Sequence, residues 1–308
     1  MSPRDILLAI VVVTAWGLNF IAIKWGVTLA PPLLLGALRY VFAALPAIFF
    51  VRPPKVKFSI LLGYGLLAGA LQFGALYIAI SQGMPAGLSS LVIQMQAFFT
   101  IGFAMVFLGE RPRRFQLLGA GIAFIGILAI AAERFSGAAL LPLLLTLAAA
   151  ACWGGGNILT KRAGRIDMLA FIAWSSLVPP IPLFVLSLLT EGPSTDWAAL
   201  THPGWVLAGS VGFSSYVSTL VGYGLWSVLL SRYPTSTVAP FSLLVPVIGI
   251  AASALILGEQ PSLVELAGSA VIFVGLVVNT LGRRSSASAV EPADQPGGKD
   301  AVPQLPAG

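Results

Sequence analysis

Long apolar runs separated by short polar breaks recur along almost the whole 308-residue chain. Each run is roughly 18–22 residues long, enough for a helix to cross a bilayer. The runs lack the alternating in-and-out pattern of a barrel strand. Backbone groups in lipid must be satisfied within the segment, so each run reads as a helix. Ten spans are expected, at residues 6–26, 32–51, 58–80, 87–108, 115–132, 140–160, 168–189, 204–230, 237–257 and 263–282. The fold class is then an all-α polytopic membrane protein. The first run lacks a clear small-residue cleavage site and many spans follow it, so it is expected to be retained.

Composition agrees with this pattern. The chain is 57% hydrophobic and only 9% charged, with a mean hydropathy of +0.94. Soluble domains carry about 25% charged residues, so a water-facing surface cannot be built from this inventory. The single cysteine, Cys152, cannot form an internal disulfide and reads as a small buried residue. Residues 283–308 are rich in Ser, Ala, Pro and Gly and are expected to form a disordered tail.

The net charge of +6 acquires a meaning once it is placed. With the N-terminus inside, the inner segments hold 14 of the 17 Lys and Arg residues, among them Arg52, Lys55, Lys57, Arg111, Arg113, Arg114, Lys161, Arg162 and Arg232. The outer loops hold Arg134 alone, and Lys24 and Arg39 fall in or beside spans. This is the positive-inside distribution, so both termini are expected in the cytoplasm. The charge marks orientation, and nucleic acid is dropped as a partner.

The stretch "LGERP" at Leu108 returns as "LGEQP" at Leu257. At a fixed offset of 149 residues, Leu108, Gly109, Glu110, Pro112, Leu117, Gly119, Phe124 and Gly126 all find identical counterparts, and Pro85 matches Pro234. Near the start of each half, Trp16 and Lys24 match Trp153 and Lys161 at an offset of 137. Residues 1–133 and 134–282 are thus expected to be two five-span repeats. An odd span count inserts consecutive copies with opposite orientation, so the first turn faces the cytoplasm and the second faces outside. Arg113 and Arg114 accordingly become Ser262 and Leu263 in the second copy. Inverted repeats are a recurring design of secondary transporters, with the site at the repeat interface.

Two marks of such a site stand in corresponding places: "WGLN" at Trp16–Asn19 and "WGGGN" at Trp153–Asn157. Gly154, Gly155 and Gly156 weaken a helix, let other groups approach its backbone and are expected to interrupt the span and serve as hinges. Arg39 lies about 12 Å into span two at 1.5 Å rise per residue. With Lys24 nearby, it can hold a carboxylate, or both can extend to the outer interface as anchors. In span four, Ser89, Gln96 and Thr100 share one polar stripe, whereas Gln94 points almost oppositely to Gln96. Gln96, Thr100, Gln94 and Gln72 either line a cavity or bond neighbouring helices. Tyr223 and Trp226 face either the pathway or lipid. Pro240 and Pro246 are expected to kink span nine as hinges beside Val245.

Some chemistry is excluded. No Asp or Glu lies in the middle of a span, which favours neutral, zwitterionic or anionic substrates and opposes a midplane carboxylate relay. The only histidine, His202, lies in an outer loop, and no metal-ligand, nucleophile or P-loop motif appears, so neither an enzyme nor a metal or cofactor site is expected. A channel or sensor would want a continuous polar helix, which no span provides.

The motifs "WGLNFIAIK", "LRY", "GMPAG", "QMQAFFT", "LGERP", "AAACWGGGNILTK", "GYGLW", "RYPTSTVAPFSLLVPVIG" and "LGEQP" resemble the drug/metabolite transporter superfamily, in particular its ten-span EamA family. The resemblance runs from about Met1 to Arg284 and implies two inverted five-span repeats. The run "GMPAGLSSLVIQMQAFFTI" followed by "APFSLLVPVIG" is similar to bacterial inner-membrane exporters of O-acetylserine and cysteine. That implies a secondary transporter in the inner membrane exporting small amino-acid-type metabolites by alternating access, with lipid as its surroundings. Export of another small metabolite, such as an aromatic amino acid or a nucleobase, is the alternative. Oligomeric state, coupling ion and substrate range are left open.

Overall fold

The computed structural model describes residues 1–136, 140–164 and 166–287, and every regular element among them is helical. Ten helices are long and apolar enough to cross a membrane: Pro3–Val27, Pro32–Phe50, Phe58–Ser81, Ala86–Leu108, Arg114–Phe135, Leu140–Ala163, Met168–Thr190, Gly204–Arg232, Ala239–Leu257 and Leu263–Thr280. They are spans one to ten. A further short helix, Pro193–Thr201, lies between spans seven and eight. The last helix continues to Ala287 instead of stopping at residue 282. The rest of the expected tail, 288–308, lies outside the described residues.

The bundle has two chemically different ends. At the basic end Lys161 pairs with Glu110, and Arg232 meets Asp5 at 2.8 Å. At the other end Arg134 and Glu265 pair at 2.7 Å, and Glu191 and Glu259 cap helices. The Glu191 carboxylate accepts the Leu33 and Leu34 amides at 2.9 and 3.3 Å, satisfying donors that open the first turn of span two. Large apolar side chains such as Phe49, Phe50, Leu189 and Leu255 face outward from the bundle, as lipid contact requires.

The repeated Leu-Gly-Glu turn is one geometry made twice. Gly109 and Gly258 both adopt the left-handed conformation, with φ of 66° and 68° and ψ of 20° in each. Each amide returns to the preceding helix, Gly109 to the Ala104 carbonyl and Gly258 to that of Ser253. A β-carbon is strained at such angles, which accounts for glycine in both copies.

The last spans of the two halves meet through repeated close contacts. A β-carbon placed on Gly119 would lie 2.5 Å from the Gly275 carbonyl oxygen, and one on Gly275 would lie 2.5 Å from that of Gly119. Their counterparts at the 149-residue offset, Gly268 and Gly126, approach in the same way, with 2.6 Å from Gly126 to the Gly268 oxygen. Spans five and ten therefore meet through a self-complementary contact, in which Gly119 meets the counterpart of Gly126 and Gly126 the counterpart of Gly119. A second mirrored contact supports it. A β-carbon on Gly17 would lie 2.7 Å from Ile248, and one on Gly154 would lie 2.8 Å from Phe99. Gly17 and Gly154 differ by 137, Phe99 and Ile248 by 149, the two offsets of the sequence repeat.

Several spans depart from α-helical winding along their length. Span three contains a π-helical stretch, Gly65–Leu71, and span eight another, Phe213–Val221. Span four tightens to 3-10 winding at Ile93–Met95 and span nine at Ala239–Leu243, where Pro240 lacks an amide donor. Pro246 instead sits inside the regular helix Leu244–Ala252. Span six runs unbroken through Gly154, Gly155 and Gly156, so the expected interruption is absent and the glycines serve close approach. Gly154 receives Phe99 and Thr100, and Gly156 receives Ala68 and Tyr64.

Candidate functional site

A cavity of about 440 Å³ lies among spans one to four and six to nine, within the roughly 300–1,000 Å³ that small-molecule sites occupy. Its wall includes Trp16, Asn19, Arg39, Gln72, Gln94, Gln96, Trp153, Asn157, Tyr223 and Trp226, all singled out by sequence. Lys24 is not part of that wall, and Thr100 faces a neighbouring cavity while accepting a hydrogen bond from Asn157 at 3.0 Å.

Among the described residues Arg39 is the only charged one lining the cavity, and it is 3% exposed. The π-helical stretch of span eight presents Thr219, whose Oγ1 accepts from Arg39 Nη2 at 3.1 Å. Tyr77 of span three accepts from Nη1 at 3.2 Å, and the Phe73 ring lies under the guanidinium. Its Nε donor has no partner among the described residues. These groups orient the cation without neutralising it. A buried charge with no counter-ion is expensive in a low-dielectric interior, so the site favours an anionic group beside it.

Part of the wall is aromatic. The rings of Trp16 and Tyr223 are centred 5.4 Å apart, and those of Trp16 and Trp226 5.2 Å apart. Trp16 Nε1 donates to the Ser218 carbonyl at 2.9 Å, an oxygen within the π-helical stretch of span eight. Beside this cluster the Asn19 Oδ1 is buried and without a hydrogen-bond donor among the described residues. It is a buried acceptor whose lone pairs are unused among the described residues.

Gln94 and Gln96 both reach the cavity, although a uniform α-helix would aim them apart. The 3-10 turn at Ile93–Met95 supplies the necessary change of winding. Gln96 is held by Asn157, whose Nδ2 donates to Gln96 Oε1 at 2.7 Å.

Sequence reasoning passed over Tyr77, Thr219 and Phe73, which hold Arg39, and Tyr64, Ser218 and Ser242, which complete the wall. One signal was present: Ser214, Ser215, Ser218 and Thr219 form two i, i+4 pairs in span eight, a polar face within an apolar helix.

A second cavity of about 680 Å³ opens at the basic end, lined by Glu110, Arg111, Arg113, Gln116, Pro240 and Asn279. Gln94, Gln96, Ala239 and Ser242 line both cavities, so the central one adjoins the cavity at the basic end. At the opposite end the spans pack tightly: Gly87 lies against Ser253, Gly249 against Ser90, and Glu259 caps span four.

The family model for EamA-like transporters matches this chain twice, at residues 4–132 and 140–281. A probable amino-acid metabolite efflux pump of Escherichia coli (strain K12) is 45% identical over 290 residues, covering 92% of this chain and 97% of the relative. A protein of the same name from Salmonella typhimurium is 44% identical over 290 residues, with 92% and 97% covered. A probable terminal-alkyne amino-acid exporter of Streptantibioticus cattleyicolor is 28% identical over 232 residues, covering 72% of this chain and 75% of the relative. A crystal structure with 18% identity superposes with a TM-score of 0.60, covering 96% of this chain and all of that one, a likeness of fold alone.

Proposed function

The chain belongs to the EamA-like transporter family, a family of transporters and not of enzymes, and from that premise we propose that it exports small amino-acid-type metabolites, O-acetylserine and cysteine among them, by alternating access. It is a multi-pass protein of the bacterial inner membrane. The proposed orientation places the basic end and both termini in the cytoplasm, following the distribution of Lys and Arg.

One observation carries the reading: Arg39 is buried on the wall of a central cavity that holds no carboxylate to pair with it. A zwitterionic amino acid brings that carboxylate. Its ammonium then meets Asn19 Oδ1 and the Trp16–Tyr223–Trp226 faces, which attract a cation through their ring quadrupoles. The remaining wall is mostly apolar with a few amides and accepts a short side chain without demanding one chemistry. The names of the relatives point to the same substrate class. The cavity adjoins the open cavity at the basic end, which supports loading of a substrate from the cytoplasm.

The aromatic cluster also favours a second reading, export of aromatic amino acids. Uptake of labelled O-acetylserine, cysteine and tyrosine into inside-out vesicles, with and without a proton gradient, separates the two. Saturable uptake of the first two supports the proposal, tyrosine alone replaces it with the second reading, and uptake of none contradicts both.

A further inference from the structure

The inverted repeat predicts equivalent contacts at the two ends, and at one pair of residues the ends differ. Glu259 stands at the non-basic end and its carboxylate accepts two amides of span four, Ala86 at 2.8 Å and Gly87 at 3.1 Å. That contact ties the turn between spans nine and ten to the first turn of span four. At the 149-residue offset, Glu259 corresponds to Glu110, and Pro85 with the two capped residues to Pro234, Thr235 and Ser236. The mirrored contact would join Glu110 to the amides that begin the helical segment 235–257 at the basic end.

Glu110 instead pairs with Lys161. It stands on the wall of the 680 Å³ cavity, across which lie Ala239 and Pro240 of span nine. The counterpart of Lys161 at the 137-residue offset is Lys24, at the non-basic end of span one. Each carboxylate therefore has two sets of partners written into the repeat. One is a helix start, as seen for Glu259. The other is a lysine, as seen for Glu110.

We propose that Glu110 and Glu259 are exchanging gate latches: when the outer end opens, Glu259 leaves Ala86 and Gly87 for Lys24, while Glu110 leaves Lys161 and caps residues 235–236 to close the basic end. The inference rests on the alternating-access reading above. The exchange conserves the number of charge-assisted contacts, since one end gains a cap as the other gains an ion pair. The two states are then close in free energy, as a carrier that must visit both requires. The tight packing of Gly87 on Ser253 and of Gly249 on Ser90 closes together with the Glu259 latch, and the residues facing one another at the basic end remain separated by the cavity.

The test uses the full chain in membranes, with Cys152→Ser to remove the native thiol and Ser253→Cys as reporter. Ser253 is 3% exposed beneath the Glu259 latch, so its labelling by a membrane-impermeant maleimide from outside reports outer opening. Glu259→Gln removes the two-amide cap from the outer-closed state and the Lys24 ion pair from the outer-open one; the cap is the stronger contact, so labelling is expected to rise, by up to about fivefold. Glu110→Gln removes the opposing latch and is expected to lower labelling and slow transport. Lys161→Gln frees Glu110 to cap residues 235–236 and is expected to raise labelling. An ion pair with a merely structural role predicts that Glu110→Gln and Lys161→Gln act alike. Opposite signs support the latch, and equal signs or no change overturn it. If the parent reporter is never labelled while transport persists, alternating access fails and the latch with it.

Discussion

The guanidinium carbon of Arg39 lies 3.9 Å from the centre of the Phe73 ring, stacked on one aromatic face with its fork held by Tyr77 and Thr219. The planar, delocalised cation is what that arrangement accommodates. Arg39→Lys keeps the charge but loses the fork and the stacking. It is expected to raise the apparent KM for amino-acid uptake about tenfold, in line with losing one charge-assisted hydrogen bond. Uptake kinetics at matched protein levels check this.

Gly119 and Gly275 cross backbone to backbone, whereas nothing stands within 4 Å of a β-carbon on Gly121. Gly119→Val is therefore expected to lower stability by about 1–3 kcal/mol through overpacking. Gly121→Ala, two residues away, leaves the melting temperature in detergent close to that of the parent. A similar shift in both variants would remove the crossing from the account.

Glu191 joins span two to the end of span seven by accepting two amides, and Ser187 Oγ donates to Glu191 at 2.6 Å. Glu191→Ala leaves Leu33 and Leu34 without their acceptor. A loss of about 1–2 kcal/mol is expected, typical of a lost helix cap, and thermal unfolding in detergent measures it.

Asn157 bridges Gln96 and Thr100. Asn157→Leu removes both hydrogen bonds from the half-buried Gln96 and Thr100, a cost of about 1 kcal/mol each. It also frees Gln96 on the cavity wall. Transport is expected to fall and substrate range to broaden, read from competition by a panel of amino acids.

Orientation has its own test. A reporter fused after Gly308 is expected to be active only in its cytoplasmic form, and one inserted between Gly192 and Pro193 only in its external form.

Much of this architecture was legible in the sequence because lipid imposes a simple rule. Uninterrupted apolar runs of helix length fixed the ten spans, and the 149-residue repeat anticipated that Gly109 and Gly258 would turn alike. Arg39 was visible as a cation at membrane depth, and Trp16, Trp153 and Asn157 through the repeat. The supporting residues were not. Thr219 reaches Arg39 from a π-helical stretch, and although Gln94 was a candidate, its joining Gln96 on one wall comes from a 3-10 turn. Both depend on local changes of winding that a uniform 100° per residue cannot anticipate. Lys24 looked like a partner of Arg39 from its depth in the membrane, yet lies off the cavity wall because depth says nothing of azimuth. The three glycines of span six suggested a break, but the close contacts with Phe99 and Ala68 hold the helix intact.

The central claim is that Arg39 grips the carboxylate of an exported amino acid. Inside-out vesicles carrying either the parent protein or Arg39→Gln, given a labelled amino acid and its decarboxylated amine, test it directly. The account predicts saturable uptake of the amino acid by the parent, little uptake of the amine, and a roughly 10–100-fold loss in Arg39→Gln, the range for losing a charged hydrogen-bonded pair. Equal uptake by parent and variant, or an amine carried as well as the amino acid, would contradict it.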